Sequence, residues 1–239
     1  MSIGSPMTLD TDEALFVAHF LEVYPDGELM LFDVGAASGR FARGFSERCR
    51  PRRVWAHLFE PRPGITETPM TCDAVHWCAL GSAAGTATFV VGKNGELSHI
   101  ARATDDTSVA DYCAEHGIEG VPIDDVDQVI EVKVSTVDHW LSLPNAVGIP
   151  IRHLDFLKID TEGYELEVLR GARAALAAAA ISAVQFEYGG TWIGMGRLQE
   201  AVDMLPGFTI YGYDGHGLVR RTSFEDDYTW SGNLLAIRE

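Results

Sequence analysis

Leu29-Met30-Leu31-Phe32-Asp33-Val34-Gly35-Ala36-Ala37-Ser38-Gly39 is the stretch whose reading decides the fold. Its first six residues are a nearly continuous apolar run, the pattern of a strand buried on both faces of a sheet. Gly35 and Gly39 then let the backbone turn tightly and approach a ligand closely. The spacing predicts a helix over 40–48. Strand, glycine turn and helix together make the opening unit of an α/β sheet.

The alternation continues outward from this unit. Before it, Leu15, Phe16, Ala18, His19 and Leu21 recur at helical spacing ahead of Pro25 and Gly27, predicting an N-terminal helical extension within 1–27. After it, strands are predicted at 54–60, 75–80 and 85–91, with an edge strand at 129–134 and a helix at 136–143. The segment 92–128 is less regular and acidic. It reads as a variable insertion over the sheet edge, with a short helix near 109–116. A strand at 154–160 returns to the central sheet. The helix after it shows Leu166, Leu169, Ala172 and Leu176 on one face, with Glu165 and Glu167 turned elsewhere. A strand at 181–187, a helix at 196–204 and an antiparallel hairpin of 208–213 with 229–237 complete the chain. Strands alternating with helices predict one α/β domain over 1–239. Its doubly wound, mostly parallel, seven-stranded Rossmann-like sheet would end in an antiparallel C-terminal hairpin. That terminal hairpin distinguishes the class I methyltransferase fold from a dinucleotide-binding sheet.

Composition narrows the partners. The net charge of −17 argues against nucleic acid, whose binding rests on Lys and Arg neutralising phosphates. It also disfavours an anionic membrane surface. Lysine occurs only at Lys93, Lys133 and Lys158, a bias that points to a GC-rich bacterial source. Cys49, Cys72, Cys78 and Cys113 form no CxxC pair, and the N-terminus carries no signal-like apolar run. Disulfides are therefore not expected, and a reducing cytoplasm is the default setting. No run reaches the ~18 apolar residues of a membrane helix. Oligomeric state is open, a homo-oligomer being among the options.

Ligands of doubly wound sheets bind outside the carboxyl ends of the strands. The turn after the first strand lacks the GxGxxG spacing of a dinucleotide site. The Asp33 carboxylate would repel a pyrophosphate, whereas it suits the ammonium group of S-adenosylmethionine. Gly35, Ala36, Ser38 and Gly39 would meet this donor. Glu60 ends the second strand 21 residues beyond Gly39, where a carboxylate accepts from ribose hydroxyls. Ala79 and Leu80 are placed for the adenine. An ordinary structural role is the competing reading for each of these residues.

The run Leu157-Lys158-Ile159-Asp160-Thr161-Glu162-Gly163-Tyr164-Glu165-Leu166-Glu167-Val168-Leu169-Arg170-Gly171-Ala172 resembles the hallmark segment of FkbM-type methyltransferases. The Asp-Val-Gly-Ala turn, Phe59-Glu60-Pro61, Val137-Asp138, Phe186-Glu187 and Gly232-Asn233-Leu234-Leu235-Ala236 agree with it. The resemblance covers about 30–237. It implies S-adenosylmethionine as donor and O-methylation of a hydroxyl on a sugar or small natural product. Ala37 departs from the family, whose glycine loop usually carries Asn there.

Asp160, Glu162 and Glu187 reach the same sheet edge and are the candidate catalytic residues, Asp160 arriving without an adjacent basic residue. Asp160 and Glu187 are candidate ligands for Mg²⁺, which oxygen donors suit and which helps an alcohol lose its proton. Without metal, a carboxylate or a histidine acts as general base. Alternatively the carboxylates bond sugar hydroxyls or the donor's amino group, and Glu162 caps a helix. Tyr188, Trp192 and Met195, among Gly189, Gly190, Gly194 and Gly196, read as a lid that stacks on a sugar or as simple packing. His57, His76 and His139 read as core histidines, His99 and His216 as loop residues. Two other functions compete: a nicotinamide-dependent oxidoreductase, and a donor-binding partner subunit without catalysis.

Overall fold

The computed structural model describes residues 9–64, 72–92, 98–101, 126–144, 151–189, 192, 197–226 and 232–239. Its strands, in chain order, are β1 (Leu29–Val34), β2 (Val54–Phe59), β3 (Cys72–His76), β4 (Ala79–Leu80), β5 (Gly85–Gly92), β6 (His99–Ile100), β7 (Val126–Ser135), β8 (Leu154–Ile159), β9 (Ile181–Tyr188), β10 (Thr209–Tyr213), β11 (Leu218–Arg220) and β12 (Gly232–Ile237). The helices are α1 (Thr11–Val23), α2 (Arg40–Arg48), α3 (Val137–Ser142), α4 (Glu165–Arg170), α5 (Arg173–Ala177) and α6 (Leu198–Asp203).

The architecture is α/β, but the seven-stranded single sheet is corrected. There is an eight-stranded sheet ordered β11-β10-β12-β9-β8-β1-β2-β3 and a four-stranded sheet ordered β4-β7-β5-β6. The first is mixed. β9, β8, β1, β2 and β3 run parallel, while β12, β10 and β11 add antiparallel strands at one side. The predicted terminal hairpin turns at Asp214 but leads into the short β11, and β12 inserts between β10 and β9.

Three further predictions are corrected, two of them by the second sheet. The run 75–80 is two strands, broken at Trp77-Cys78, and its Ala79-Leu80 end pairs with β7 instead of continuing beside β2. The presumed edge strand, β7, is an inner strand, flanked by β4 and β5. The predicted helix through Leu176 is two short helices separated at Gly171-Ala172. Predictions for 109–116 and most of the 92–128 insertion lie outside the described residues.

Both faces of the large sheet are covered, as its apolar strands require. On β1, Phe32 and Val34 enter a core shared with Leu157, Ile159, Leu166 and Leu169. Leu29 and Leu31 enter the opposite core, with Phe16, Phe20, Phe41, Phe45 and Phe156. Helix α1 is thus part of the core, its Phe20 ring 5.2 Å from that of Phe156. Arg40, at the start of α2, ties α1 to the glycine turn by bonding Glu13 at 2.9 Å and Asp10 at 3.0 Å. A smaller core of Ala79, Phe89, Val91, Ile100 and Val132 belongs to the second sheet, with Tyr164 packed against it. No helix among the described residues is long and apolar enough to cross a membrane.

Candidate active site

The carboxyl ends of β1, β2 and β8 open into a cavity of about 200 Å³. Val34, Gly35 and Ala37 line it from the first strand, and Phe59, Glu60, Pro61 and Arg62 from the second. Asp160, Thr161 and Glu162 line it beyond β8, with Tyr164 at their back. Ala79, Leu80, Phe89, Ser98 and Ile100 contribute a wall from the second sheet. Paired with β7 in the second sheet, Ala79-Leu80 thus lines the same cavity as Glu60.

The glycine turn is shaped by its neighbours. Gly35 has φ +75°, and a Cβ there would sit 1.7 Å from the Asp160 carbonyl oxygen. Any side chain would force the β1 and β8 ends apart. Gly39 caps α2 in the left-handed conformation, with φ 77°. Ala37, between them, is also left-handed, with φ 44°. Asn adopts that conformation more readily than Ala, which bears strain of roughly 1–2 kcal/mol there. The departure from the family at this position therefore has a conformational consequence. Glu60 holds the turn: its Oε2 accepts from the Ala37 N–H at 2.9 Å, and its Oε1 from the Arg62 N–H at 3.1 Å.

Of the residues predicted to meet the donor, Gly35, Glu60, Ala79 and Leu80 line the cavity, whereas Asp33, Ala36, Ser38 and Gly39 do not. Ala36 is buried in the core with Phe41. Asp33 is fully buried. Its Oδ2 accepts from the Ala42 N–H of α2 at 3.2 Å, and its Oδ1 lies 3.6 Å from the Lys158 ammonium. Burial pushes the Asp33 carboxyl up, and Lys158 opposes that rise.

Lys158 also corrects the view of Asp160 as free of basic neighbours. Its Nζ donates to Asp160 Oδ2 at 3.0 Å. The period of two along a strand puts residues 158 and 160 on one face, so the pair was visible in the sequence. Burial works against the lysine charge, but Asp160 and Asp33 together hold its pKa above the ordinary value.

After Asp160 the chain makes a second left-handed excursion, with φ 55° at Glu162 and 95° at Gly163. Helix α4 starts only at Glu165, so Glu162 lies in the turn before the helix rather than opening it. Glu165, expected to point away from the core, is fully buried. Its Oε1 accepts from Thr161 N–H, Thr161 O–H and Gly163 N–H at 2.8, 3.0 and 3.2 Å. Glu187 arrives from β9, and oxygens of Asp160, Glu162 and Glu187 lie within 4.8 Å of one another. Glu187 Oε2 is buried without a hydrogen-bond partner among the described residues. Burial first, then the charges of Asp160, Glu162 and Glu165, push the Glu187 carboxyl up to about 9, with Lys158 opposing. Burial and like charge therefore favour a proton on this carboxylate cluster, with Glu187 the member pushed up.

Of the two readings of the aromatic residues at and after the end of β9, packing describes Tyr188 and Trp192. Tyr188 and Trp192 are buried, their rings 5.2 Å apart, and Trp192 Nε1 donates to the Glu187 carbonyl at 3.0 Å. They support the strand that carries Glu187. Met195 lies outside the described residues. His57 and His76 share a hydrogen bond of 3.0 Å, and burial lowers both, His76 to about 4. His139 is exposed rather than in the core, and His99 is buried on β6 rather than in a loop. His216 sits in the β10–β11 turn, at the far side of the sheet.

The chain as a whole is similar to several solved structures. A crystal structure of a methyltransferase FkbM from Methylobacillus flagellatus KT is 16% identical with a TM-score of 0.47, over 87% of this chain and 43% of that one. The chain thus spans less than half the length of that protein. A precorrin-6y C5,15-methyltransferase from Geobacter metallireducens is 11% identical with a TM-score of 0.38, over 97% and 93%. The plantazolicin methyltransferase BpumL, solved in complex with SAH, is 7% identical with a TM-score of 0.39, over 95% and 83%. No curated protein matches in sequence. Residues 33–214 match the family described as Methyltransferase FkbM domain, which sets the oxidoreductase reading aside, and the chain belongs to that FkbM methyltransferase family.

Proposed function

We propose that the chain is an S-adenosylmethionine-dependent O-methyltransferase acting on a hydroxyl of a sugar or small natural product. The observation that carries this reading is the meeting of two different walls in one cavity, a glycine turn held by Glu60 and a carboxylate turn around Asp160. S-adenosylmethionine fits the residues present. Gly35 leaves its backbone bare, Glu60 offers lone pairs to ribose hydroxyls, and Ala79 and Leu80 offer an apolar surface to adenine. Asp160 and Glu162 offer negative charge to a cation. Bound there, the donor would supply an electrophilic methyl group on a positively charged sulfur.

Asp160, Glu162 and Glu187 have the acceptor as their task. A carboxylate of this cluster bonds the hydroxyl and takes its proton. Alignment of the reacting groups supplies most of the remaining rate, about 7–11 kcal/mol of barrier in well-oriented reactions. A proton that burial favours on Glu187 would be donated to the acceptor or to a neighbouring carboxylate. The acidic lining favours a neutral or cationic acceptor over a phosphorylated one.

A second reading gives the three converging carboxylates a divalent cation, since Mg²⁺ takes oxygen ligands. A cation and the Glu187 proton exclude each other. Titration calorimetry with S-adenosylmethionine tests the donor site, and the absence of saturable binding would sink it. Methyl transfer from labelled donor to panels of hydroxylated acceptors, with and without chelator, tests acceptor and metal. Loss of transfer in Asp160→Ala with donor binding intact separates an enzyme from an inactive partner subunit.

A further inference from the structure

Glu165 does not line this cavity, yet among the described residues its side chain's three hydrogen bonds go to the turn that carries the candidate catalytic carboxylates. One oxygen, Oε1, receives Thr161 N–H, Thr161 O–H and Gly163 N–H. These donors flank Glu162 on both sides. Tyr164, the residue capping α4, makes no side-chain cap hydrogen bond, and Glu165 as the first residue of α4 folds its carboxylate back onto the turn before it. On the opposite side of the turn, Asp160 N–H donates to the Val34 carbonyl at 3.0 Å, and the Asp160 carbonyl packs against bare Gly35. The turn is therefore clamped between the end of β1 and one buried carboxylate.

Glu162 has reason to leave this geometry, because a left-handed φ of 55° is unfavourable for any residue with a Cβ. Relaxing it to the right-handed region would swing the Thr161 and Gly163 amides off Glu165 and leave buried donors unpaired. We propose that Glu165 is the positioning residue of the site, holding Glu162 and Gly163 left-handed so that the Asp160 and Glu162 carboxylates converge with Glu187. The proposal rests on the donor reading above.

The full chain is titrated calorimetrically with S-adenosylmethionine and with its demethylated product, whose sulfur is neutral, and melted in parallel. The charged sulfur distinguishes the two ligands, so their affinity ratio reports how well the carboxylates converge. Glu165→Ala removes the acceptor, Glu165→Gln keeps a carbonyl oxygen, and Thr161→Val removes one donor. Relative to the unaltered chain, Glu165→Ala lowers the ratio about tenfold, while Glu165→Gln stays within about threefold. Thr161→Val falls between them and carries the test if Glu165→Ala does not fold. A ratio unchanged in both Glu165→Ala and Thr161→Val overturns the proposal, even where the melting temperature drops, because Glu165 then serves stability alone. An unaltered chain that binds neither ligand overturns the donor reading instead, a different result seen before any variant is made.

Discussion

Two turns face each other across the ends of β1 and β8, and they use the same device for opposite purposes. Each contains a residue with a Cβ in the left-handed region, Ala37 in one and Glu162 in the other. Each is tied down by a carboxylate with little or no exposure, Glu60 in the first and Glu165 in the second. The difference lies in what is left to face the cavity. The glycine turn carries small side chains and presents backbone, and its anchor Glu60 itself lines the cavity. The carboxylate turn presents charged side chains, and its anchor is sealed in the core. Presenting backbone needs little support, whereas gathering charge needs both a hidden anchor and the buried counter-ion Lys158.

That comparison breaks most readily at Lys158. Lys158→Met leaves Asp33 and Asp160 without their shared cation, and losing one partner of a buried pair costs about 3–5 kcal/mol. Calorimetric melting should show a fall of about 10 °C. An unchanged melt would mean that the carboxylate turn does not need its counter-ion. Glu60→Ala strikes the other turn at its anchor, and S-adenosylmethionine affinity should fall by about ten- to hundredfold, with a smaller effect on melting.

Glu187 sharpens the comparison through pH. Its pKa in the fold is raised to about 9, above the ordinary 4.5, so the folded chain keeps a proton that the unfolded chain releases between these values. Its contribution to stability is present at low pH and is lost as pH rises towards 9. Glu187→Gln should therefore melt above the unaltered protein at pH 9, with the advantage shrinking towards pH 5. Added Mg²⁺ that erases the difference at pH 9 would identify the cluster as a cation site, and a flat profile would remove the proton from the account. The smallest effects come from strain. Ala37→Gly and Glu162→Gly each relieve about 1 kcal/mol, raising melting by about 2–4 °C. Only Glu162→Gly should also lower S-adenosylmethionine affinity. Equal binding in both variants would erase the distinction between the turns.

Much of the frame was legible in the chain itself. Apolar runs that give way to Glu60 and Asp160 mark strand ends, because a sheet buried on both faces is built mostly of apolar residues. The second sheet was not legible. The run 75–80 has one unbroken strand-like composition, and composition does not say which sheet a strand joins. Glu165 was misplaced because helical spacing assigns it to the polar face of α4, whereas a six-residue helix after a left-handed turn folds its first side chain back into the core. Tyr188 and Trp192 looked like a lid because glycines surround them, yet their burial was decided by Phe186 and Glu187 on the strand beneath.

Sequence alone determined the element types, the turn at Gly35, the strand-end carboxylates and the family, since all rest on residues close together in the chain. Tertiary structure decided that Lys158 serves Asp33 and Asp160 together, that Glu187 meets Asp160 and Glu162, and that a second sheet walls the cavity. Charge interactions depend on distance in space, and strand order sets that distance: β1, β8 and β9 are neighbours in the sheet though more than a hundred residues separate β1 from β8.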